Sequence, residues 1–380
     1  MGTFRIHGGS FNSGSGTDPG LDGSALALSS GMIVVTVQYR LGVLGWLPPT
    51  TISSGINLGV RDATQALTFL NKVLPSFGGV TNQITLAGQS SGAAMIRGDF
   101  LPHYITFSLH VSFYVSLTRV TLISILVNYT ALIASPTAAP MFKGGILQSD
   151  PMYYNFLPSS SYKALQQAYY VALPCSSTNT ACIKSLPLST LLSVQNDLYK
   201  NASTISPAAG PGQPLRPSVD GSFVTTSLTG DSFPSNLKPL LITTVRNDAG
   251  LSIGSAFPLD TPESTYQPVV DATFGSSRTT TLLASQWYSE SNLRAQTPQN
   301  DQTRVQLEYL GTDATFRCPS WTFARSYVAK GGSVHVGRFM LGATYVNPPV
   351  DYCTTNGRVC HQDDIYITVC LCSFGFELAD

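Results

Sequence analysis

The sequence predicts an α/β protein with a mostly parallel central sheet flanked by helices. Two stretches, Met32–Tyr39 (MIVVTVQY) and Gln83–Gly88 (QITLAG), are short, uncharged and apolar, as strands buried on both faces are. Between them, Val60–Leu74 has apolar residues at helical spacing and stops at Pro75. Strand–helix–strand alternation of this kind is typical of a parallel sheet. Further strands are predicted at Gly144–Ser149, Pro239–Val245 and Ser333–Leu341.

The composition excludes some functional classes. The chain has 380 residues, a formal net charge of zero and only 11% charged residues. Nucleic-acid binding needs a concentrated basic face, and the lysines and arginines here are scattered, so no nucleic-acid partner is expected. Residues 1–380 are interpreted as a single domain, since large α/β enzymes often exceed the usual domain length.

The cysteines favour an oxidising compartment. Cys175 and Cys182 lie in the short polar stretch PCSSTNTAC, and Cys353 and Cys360 have the same spacing. Five histidines, none in a metal-binding pattern with these cysteines, give no indication of a metal site. The two pairs are therefore interpreted as disulfides. The remaining cysteines are Cys318, Cys370 and Cys372.

A G-x-S-x-G pentapeptide, Gly88–Gly92, follows a predicted strand and precedes a helical segment. A serine on such a sharp turn has a strained backbone, and only small residues two positions away avoid collision. The turn would lift the Ser90 hydroxyl to the edge of the sheet and aim the Ser91 N–H at a carbonyl under attack. Ser90 is the candidate nucleophile.

The stretch His7–Phe11 (HGGSF) is the candidate oxyanion loop. Consecutive glycines let backbone N–H groups converge on an oxygen without interference from side chains. Gly9, Ser10 and Ser91 are the candidate donors, and Gly8 would supply the turn. A plain glycine turn is the alternative, which the serine motif disfavours.

A serine nucleophile needs a base and a carboxylate that orients it. His335 and His361 lie late enough in the chain to be the base. His335 is flanked by Val334 and Val336 and is expected to be a packed core histidine, so His361 is preferred. His103 and His110 lie in an anomalous insertion.

The acid is expected directly after a buried strand. Asp248 in LLITTVRNDAG occupies such a position, although an Asp there could instead cap a helix. Asp220 in SVDGSF is the alternative acid, but its Asp-Gly pair is more typical of a turn.

Together these motifs resemble the type-B carboxylesterase family, the cholinesterase-like and fungal lipase-like branch of the α/β-hydrolases. The resemblance rests on HGGSF, NLGVRDATQAL, PSFGG, ITLAGQSSGA, FKGGILQSD, VDGSF and VCHQDD, in the family's order. It implies the α/β-hydrolase fold and hydrolysis of a small-molecule or lipid ester through an acyl-serine intermediate, without a cofactor. It also implies a Cys175–Cys182 disulfide, secretion of the full-length protein and glycosylation at Asn201 in NAS.

Two departures from the family pattern concern the site. Gln89 stands beside the nucleophile where the family usually has Glu, and Ala249 stands where the family's acid usually precedes a glycine. A catalytically inactive binding protein of the same family is an alternative function, although such proteins typically lose the serine or the histidine and this chain has both. The resemblance also implies chain beyond both ends, so N-terminal strands, a C-terminal end and a signal peptide are expected to be missing here.

Residues 99–132 form an apolar insertion that the resemblance does not explain. One charge, Arg119, lies between residues 105 and 134. A transmembrane helix is disfavoured, because a span cannot leave from the centre of the nucleophile helix and return, and a lid would carry polar faces. A translated intron is preferred, and the non-family tail 369–380 is given the same interpretation. The chain itself would then be an inactive, mis-spliced fragment of an esterase with no obligate membrane span.

Overall fold

The structure is a computed structural model that describes residues 2–51, 55–97, 132–133, 138–210, 212–220, 223–224, 233, 237–288, 301–343, 350–355 and 357–369. The predicted insertion lies outside the described residues except for Leu132, and the predicted tail does so except for Val369. Their interpretation as translated introns therefore stays a prediction.

A six-stranded parallel sheet forms the centre of the described chain, with strand order β2-β1-β3-β4-β5-β6. The prediction of a mostly parallel sheet is confirmed, and the five predicted strands differ from the observed ones by at most two residues at either end. The strands are β1 Gly2–Ile6, β2 Ile33–Val37, β3 Ile84–Gln89, β4 Gly144–Gln148, β5 Leu240–Val245 and β6 Val334–Phe339.

Helices join the strands and cover the sheet. The predicted helix at 60–74 begins at Leu58 and ends at Val73, and its apolar stripe is buried. The helices are α1 Ser24–Ser30, α2 Gly42–Trp46, α3 Leu58–Val73, α4 Ser91–Arg97, α5 Ser159–Ala172, α6 Thr180–Ser185, α7 Leu188–Ile205, α8 Gly250–Ala256, α9 Tyr266–Phe274, α10 Ser276–Leu283, α11 Gln302–Thr312, α12 Cys318–Ala329 and α13 Ile365–Thr368. A π-helical turn, Asp313–Arg317, joins α11 to α12.

The hydrogen bonds of α4 continue into residues much later in the sequence. The Leu132 N–H donates to the Met95 carbonyl at 3.5 Å, and the Ile133 N–H donates to the Ile96 carbonyl at 3.2 Å. All four residues are buried. Leu132 and Ile133 thus occupy the places of the next helical turn after α4, although 36 residues intervene between Met95 and Leu132 in the sequence.

His335 lies in β6, as predicted, but its side chain is exposed. The expectation of a packed core histidine was wrong, because β6 is the last strand in the order of the described sheet. In the described part of the chain, no helix is long and apolar enough to cross a membrane.

Candidate active site

Ser90 stands on a sharp turn between β3 and α4, with its backbone in the left-handed region at φ 57°. A side chain on Gly88 would collide with the backbone of Gly92, and one on Gly92 would collide with the Ile6 carbonyl. The turn is therefore closed by contacts that only glycine allows, as the sequence predicted. The Ser90 N–H donates to the Gln148 carbonyl at 2.8 Å, which fixes the turn to β4.

The loop after β1 packs against this turn. Gly8 leaves so little space that a Cβ there would lie 2.9 Å from the Cβ of Ser90. Gly9 and Ser10 both have positive φ, and their N–H groups donate no hydrogen bond to any described residue. The Phe11 N–H donates to the Ser91 hydroxyl at 3.2 Å and joins the loop to α4. Free N–H groups beside a serine are the requirement for an oxyanion site.

His7, at the start of this loop, stabilises the loop's conformation. Its ring stacks on Tyr39 at 4.5 Å, and its Nδ1 lies 2.8 Å from the Gly8 carbonyl. Burial lowers the pKa of His7, outweighing the hydrogen bond to Gly8. A neutral imidazole that donates from Nδ1 holds the turn at Gly8 in place.

His361 and Asp248 form a hydrogen-bonded pair. The Nδ1 of His361 donates to Oδ1 of Asp248 at 2.9 Å, and the Asp248 carboxylate is fully buried. Its other oxygen, Oδ2, accepts from the Val245 N–H at 2.9 Å. Because a carboxylate only accepts hydrogen bonds, the proton of the neutral imidazole is on Nδ1 and Nε2 carries the lone pair that a base needs.

The other candidate positions for the acid lie apart from His361. The Ala249 N–H donates to Thr312 Oγ1 at 3.0 Å, and the Cβ of Ala249 packs against Gly311 in α11. A longer side chain at position 249 would therefore meet α11. Asp220 accepts from Asn57 at 2.9 Å and from the N–H groups of its own turn.

Gln89, the residue before the nucleophile, contacts the imidazole directly. Its side-chain Nε2 lies 3.1 Å from Nε2 of His361. Its Oε1 is buried without a hydrogen-bond partner, close to Gly8. In the described chain the Ser90 hydroxyl makes no hydrogen bond, so the imidazole nitrogen that faces the site is engaged by Gln89 instead.

The loops that carry Asp248 and His361 are tied together. The Asn247 N–H donates to the Val359 carbonyl at 2.8 Å, and the Val359 N–H donates to Asn247 Oδ1 at 2.9 Å. The Cys353–Cys360 disulfide ends at the residue before His361. The Asn247 amide also donates to both carboxylate oxygens of Glu308, whose pKa burial raises.

A second buried carboxylate, which sequence reasoning did not single out, lies near the pair in the acidic run after His361. Asp364 is fully buried, and Gln148 Nε2 donates to its Oδ2 at 2.9 Å. Burial first, and then the charge of Asp248, raise the pKa of Asp364 to about 6. Its Oδ1 has no hydrogen-bond partner.

Both predicted disulfides, Cys175–Cys182 and Cys353–Cys360, are present in the structure. Asn201, the residue predicted to carry a glycan, is exposed in α7, where its amide donates to the Asp197 carbonyl at 2.8 Å.

The sequence matches the family model described as Carboxylesterase family over residues 4–106 and 127–375. The chain belongs to this family. The match omits residues 107–126, which fall within the predicted insertion, and it extends into the predicted tail.

Some relatives of this chain are named as enzymes, and others are not. A probable N-octanoylanthranilate hydrolase of Rhodococcus erythropolis is 46% identical over 91 residues, which are 24% of this chain and 20% of the relative. The para-nitrobenzyl esterase of Bacillus subtilis is 40% identical over 93 residues, 24% of this chain and 19% of the relative. Neuroligin-1 of Caenorhabditis elegans is 46% identical over 92 residues, 24% of this chain and 11% of the relative. The matches thus span about a fifth of these relatives or less.

Solved structures confirm the fold. A PNB esterase superposes with a TM-score of 0.66 at 18% identity, covering 99% of this chain and 68% of its own chain. A carboxylesterase of Geobacillus stearothermophilus superposes with a TM-score of 0.63 at 18% identity, covering 97% of this chain and 65% of its own chain. The predicted α/β-hydrolase fold is therefore correct.

Proposed function

We propose that this carboxylesterase family member hydrolyses carboxylic esters with Ser90 as nucleophile, His361 as base and Asp248 as orienting acid. The observation that carries the proposal is the hydrogen bond from His361 Nδ1 to the buried Asp248 carboxylate, beside a serine held at φ 57°. The same imidazole lies 3.1 Å from the side chain of Gln89, the residue directly before Ser90.

The reaction follows from these groups. Ser90 Oγ bonds to the ester carbonyl carbon while His361 Nε2 takes the hydroxyl proton, and the buried Asp248 carboxylate stabilises the imidazolium. The N–H groups of Gly9, Ser10 and Ser91 hold the oxyanion. The C–O bond to the alcohol then breaks, and His361 returns the proton to the departing oxygen. Water, deprotonated by His361, releases the acid and restores Ser90.

The substrates we propose are small-molecule or lipid esters, since the candidate nucleophile and base need no bound group for this chemistry. The alternative is a non-enzymatic binding protein, in keeping with the neuroligin relatives. Retention of both Ser90 and His361 supports the enzyme.

A fluorophosphonate probe separates the two functions. We expect the protein to be labelled and to hydrolyse a p-nitrophenyl acyl ester, and Ser90→Ala to abolish both activities. The other alternative, an inactive mis-spliced fragment of an esterase, predicts that the given chain takes no label and that a form without residues 99–131 does, so both forms are tested. The control is Ser29→Ala, which removes an exposed hydroxyl at the end of α1. A folded protein that takes no label, or a Ser90→Ala variant labelled like wild type, would overturn the proposal.

We also propose that the full-length protein is secreted, which the two disulfides support because such bonds persist in oxidising compartments. Asn201 is the proposed glycan site. Expression in a eukaryotic secretory host should give a band that an endoglycosidase shifts, and Asn201→Gln should remove the shift. An unshifted wild-type band would contradict the glycosylation.

A further inference from the structure

The side chain of Gln89 bridges two parts of the candidate site. On one side its Nε2 lies 3.1 Å from Nε2 of His361. On the other side its Oε1 lies close to Gly8 of the oxyanion loop, buried and without a hydrogen-bond partner among the described residues. Burying an amide oxygen without a hydrogen-bond partner costs free energy. The contact between the Gln89 amide nitrogen and His361 is therefore the interaction that holds this side chain in position.

The direction of the Gln89–His361 hydrogen bond follows from chemistry. The His361 Nδ1 proton faces a carboxylate, so Nε2 of the neutral ring has only a lone pair. Of the two ends of an amide, only the NH2 can donate to that lone pair. The neutral, reactive form of the base is therefore the form that Gln89 binds.

We propose that Gln89 is a positioning residue that caps the free base: in the resting enzyme its amide occupies the His361 lone pair that must accept the Ser90 proton. This inference rests on the proposed function. The Ser90 hydroxyl, which makes no hydrogen bond in the described chain, replaces the amide at Nε2 when the nucleophile is activated.

The cap has two measurable consequences. The Gln89–His361 hydrogen bond must break before Ser90 is acylated, so this hydrogen bond slows the reaction of Ser90. The Gln89 amide can donate only to the neutral ring, so removing this donor should move the pH profile of labelling, which a space-filling role would not move. Among the described residues, the charged groups that face His361 are Asp248, on the turn after β5, and Asp364, the residue directly before α13. Phe316, from the π-helical turn, packs against the ring at 5.2 Å and is uncharged.

The test compares Gln89→Leu and Gln89→Glu, which keep the size of the side chain and change its chemistry. The rate of fluorophosphonate labelling is measured from pH 5 to pH 9 on the full chain. Gln89→Leu lacks the donor and should label about three- to tenfold faster at high pH, with the midpoint raised by about half a pH unit to one unit. Gln89→Glu offers an acceptor to the imidazolium and should raise the midpoint by more than about one unit, slowing labelling at neutral pH.

A purely structural role predicts something different. If Gln89 only fills space, Gln89→Leu and Gln89→Glu label more slowly or equally, with the wild-type midpoint, and the inference is overturned. Thermal unfolding of each variant identifies loss of fold, and Gln195→Leu, which removes a buried amide from α7, should leave the midpoint unchanged. Failure of the proposed function is distinguishable, because wild type would then take no Ser90-dependent label at any pH.

Discussion

His361 and Asp248, 113 residues apart in the sequence, are joined by a hydrogen bond of 2.9 Å that fixes the imidazole tautomer. Asp248→Asn should therefore lower kcat/KM for a p-nitrophenyl ester by about 10³–10⁴-fold, because an amide at this position stabilises the wrong tautomer. Asp220→Asn is the matched control, since Asp220 binds Asn57 and its own turn. Equal losses in the two variants would rule out Asp248 as the orienting acid.

The two disulfides span the same sequence separation of seven residues but occupy different places. Loop-closure entropy predicts that replacing either pair by serines lowers the free energy of unfolding by about 2–3 kcal/mol. Only loss of Cys353–Cys360 should also lower the esterase rate, because Cys360 immediately precedes His361. Urea unfolding and ester hydrolysis on the two double variants check this. An equal fall in rate for the Cys175–Cys182 variant would contradict it.

Asp364 links stability to pH. The pKa of Asp364 is raised from 3.8 to about 6 in the folded protein, so folding favours the protonated carboxyl. The stability that the protonated carboxyl contributes is therefore lost as the pH rises from 4 to above 6. Asp364→Asn should therefore match wild type near pH 4 and exceed it by about 2–3 kcal/mol at pH 7. Urea midpoints at four pH values measure the difference. The control is Asp197→Asn, which alters an exposed carboxylate; an Asp364→Asn curve parallel to wild type would refute the linkage.

The glycines around Ser90 are structural requirements. A Cβ on Gly92 would collide with the Ile6 carbonyl in the adjacent strand, so Gly92→Ala should destabilise the fold by more than about 3 kcal/mol and abolish labelling. Gly337→Ala, in β6, meets only an ordinary contact with Thr243 at 3.7 Å and should change stability by less than about 1 kcal/mol. Thermal melts compare them, and similar melting temperatures would be the contrary result.

We propose that residues 99–131 are an addition to a helix that is complete without them. Deleting these 33 residues places Leu132 four positions after Met95, which is the spacing of the hydrogen bond already present between them. The shortened protein should have a higher melting temperature and a higher soluble yield than the given chain.

Deletions that are one residue shorter or longer are the control, because they change the position of the following residues around the helix axis. Removing residues 100–131 or 98–131 changes the length by one residue and rotates the following chain by about 100°. Both variants should be less stable than the one lacking 99–131, because Leu132 and Ile133 would turn away from their buried positions. Equal melting temperatures for the three deletions would disprove the continuous helix.

Local patterns explain what could be predicted from the sequence. The strands, the serine turn and the oxyanion loop each depend on neighbours within a few residues, so Gly88–Gly92 and His7–Phe11 were recognisable. The Gln89–His361 and Gln148–Asp364 contacts join residues 272 and 216 positions apart, and no spacing rule encodes them. His335 was misjudged because flanking valines indicate a strand but do not show whether that strand lies inside the sheet.

The positions of the candidate site residues along the chain also determine the order in which they are synthesised. Gln89 and His361 are separated by 272 residues, so a ribosome adding about 5–20 residues per second makes the second roughly 15–55 s after the first. During that interval the serine has neither its base nor the orienting acid bound to that base. If the proposed function holds, the nascent polypeptide cannot hydrolyse an ester until His361 has emerged from the ribosome.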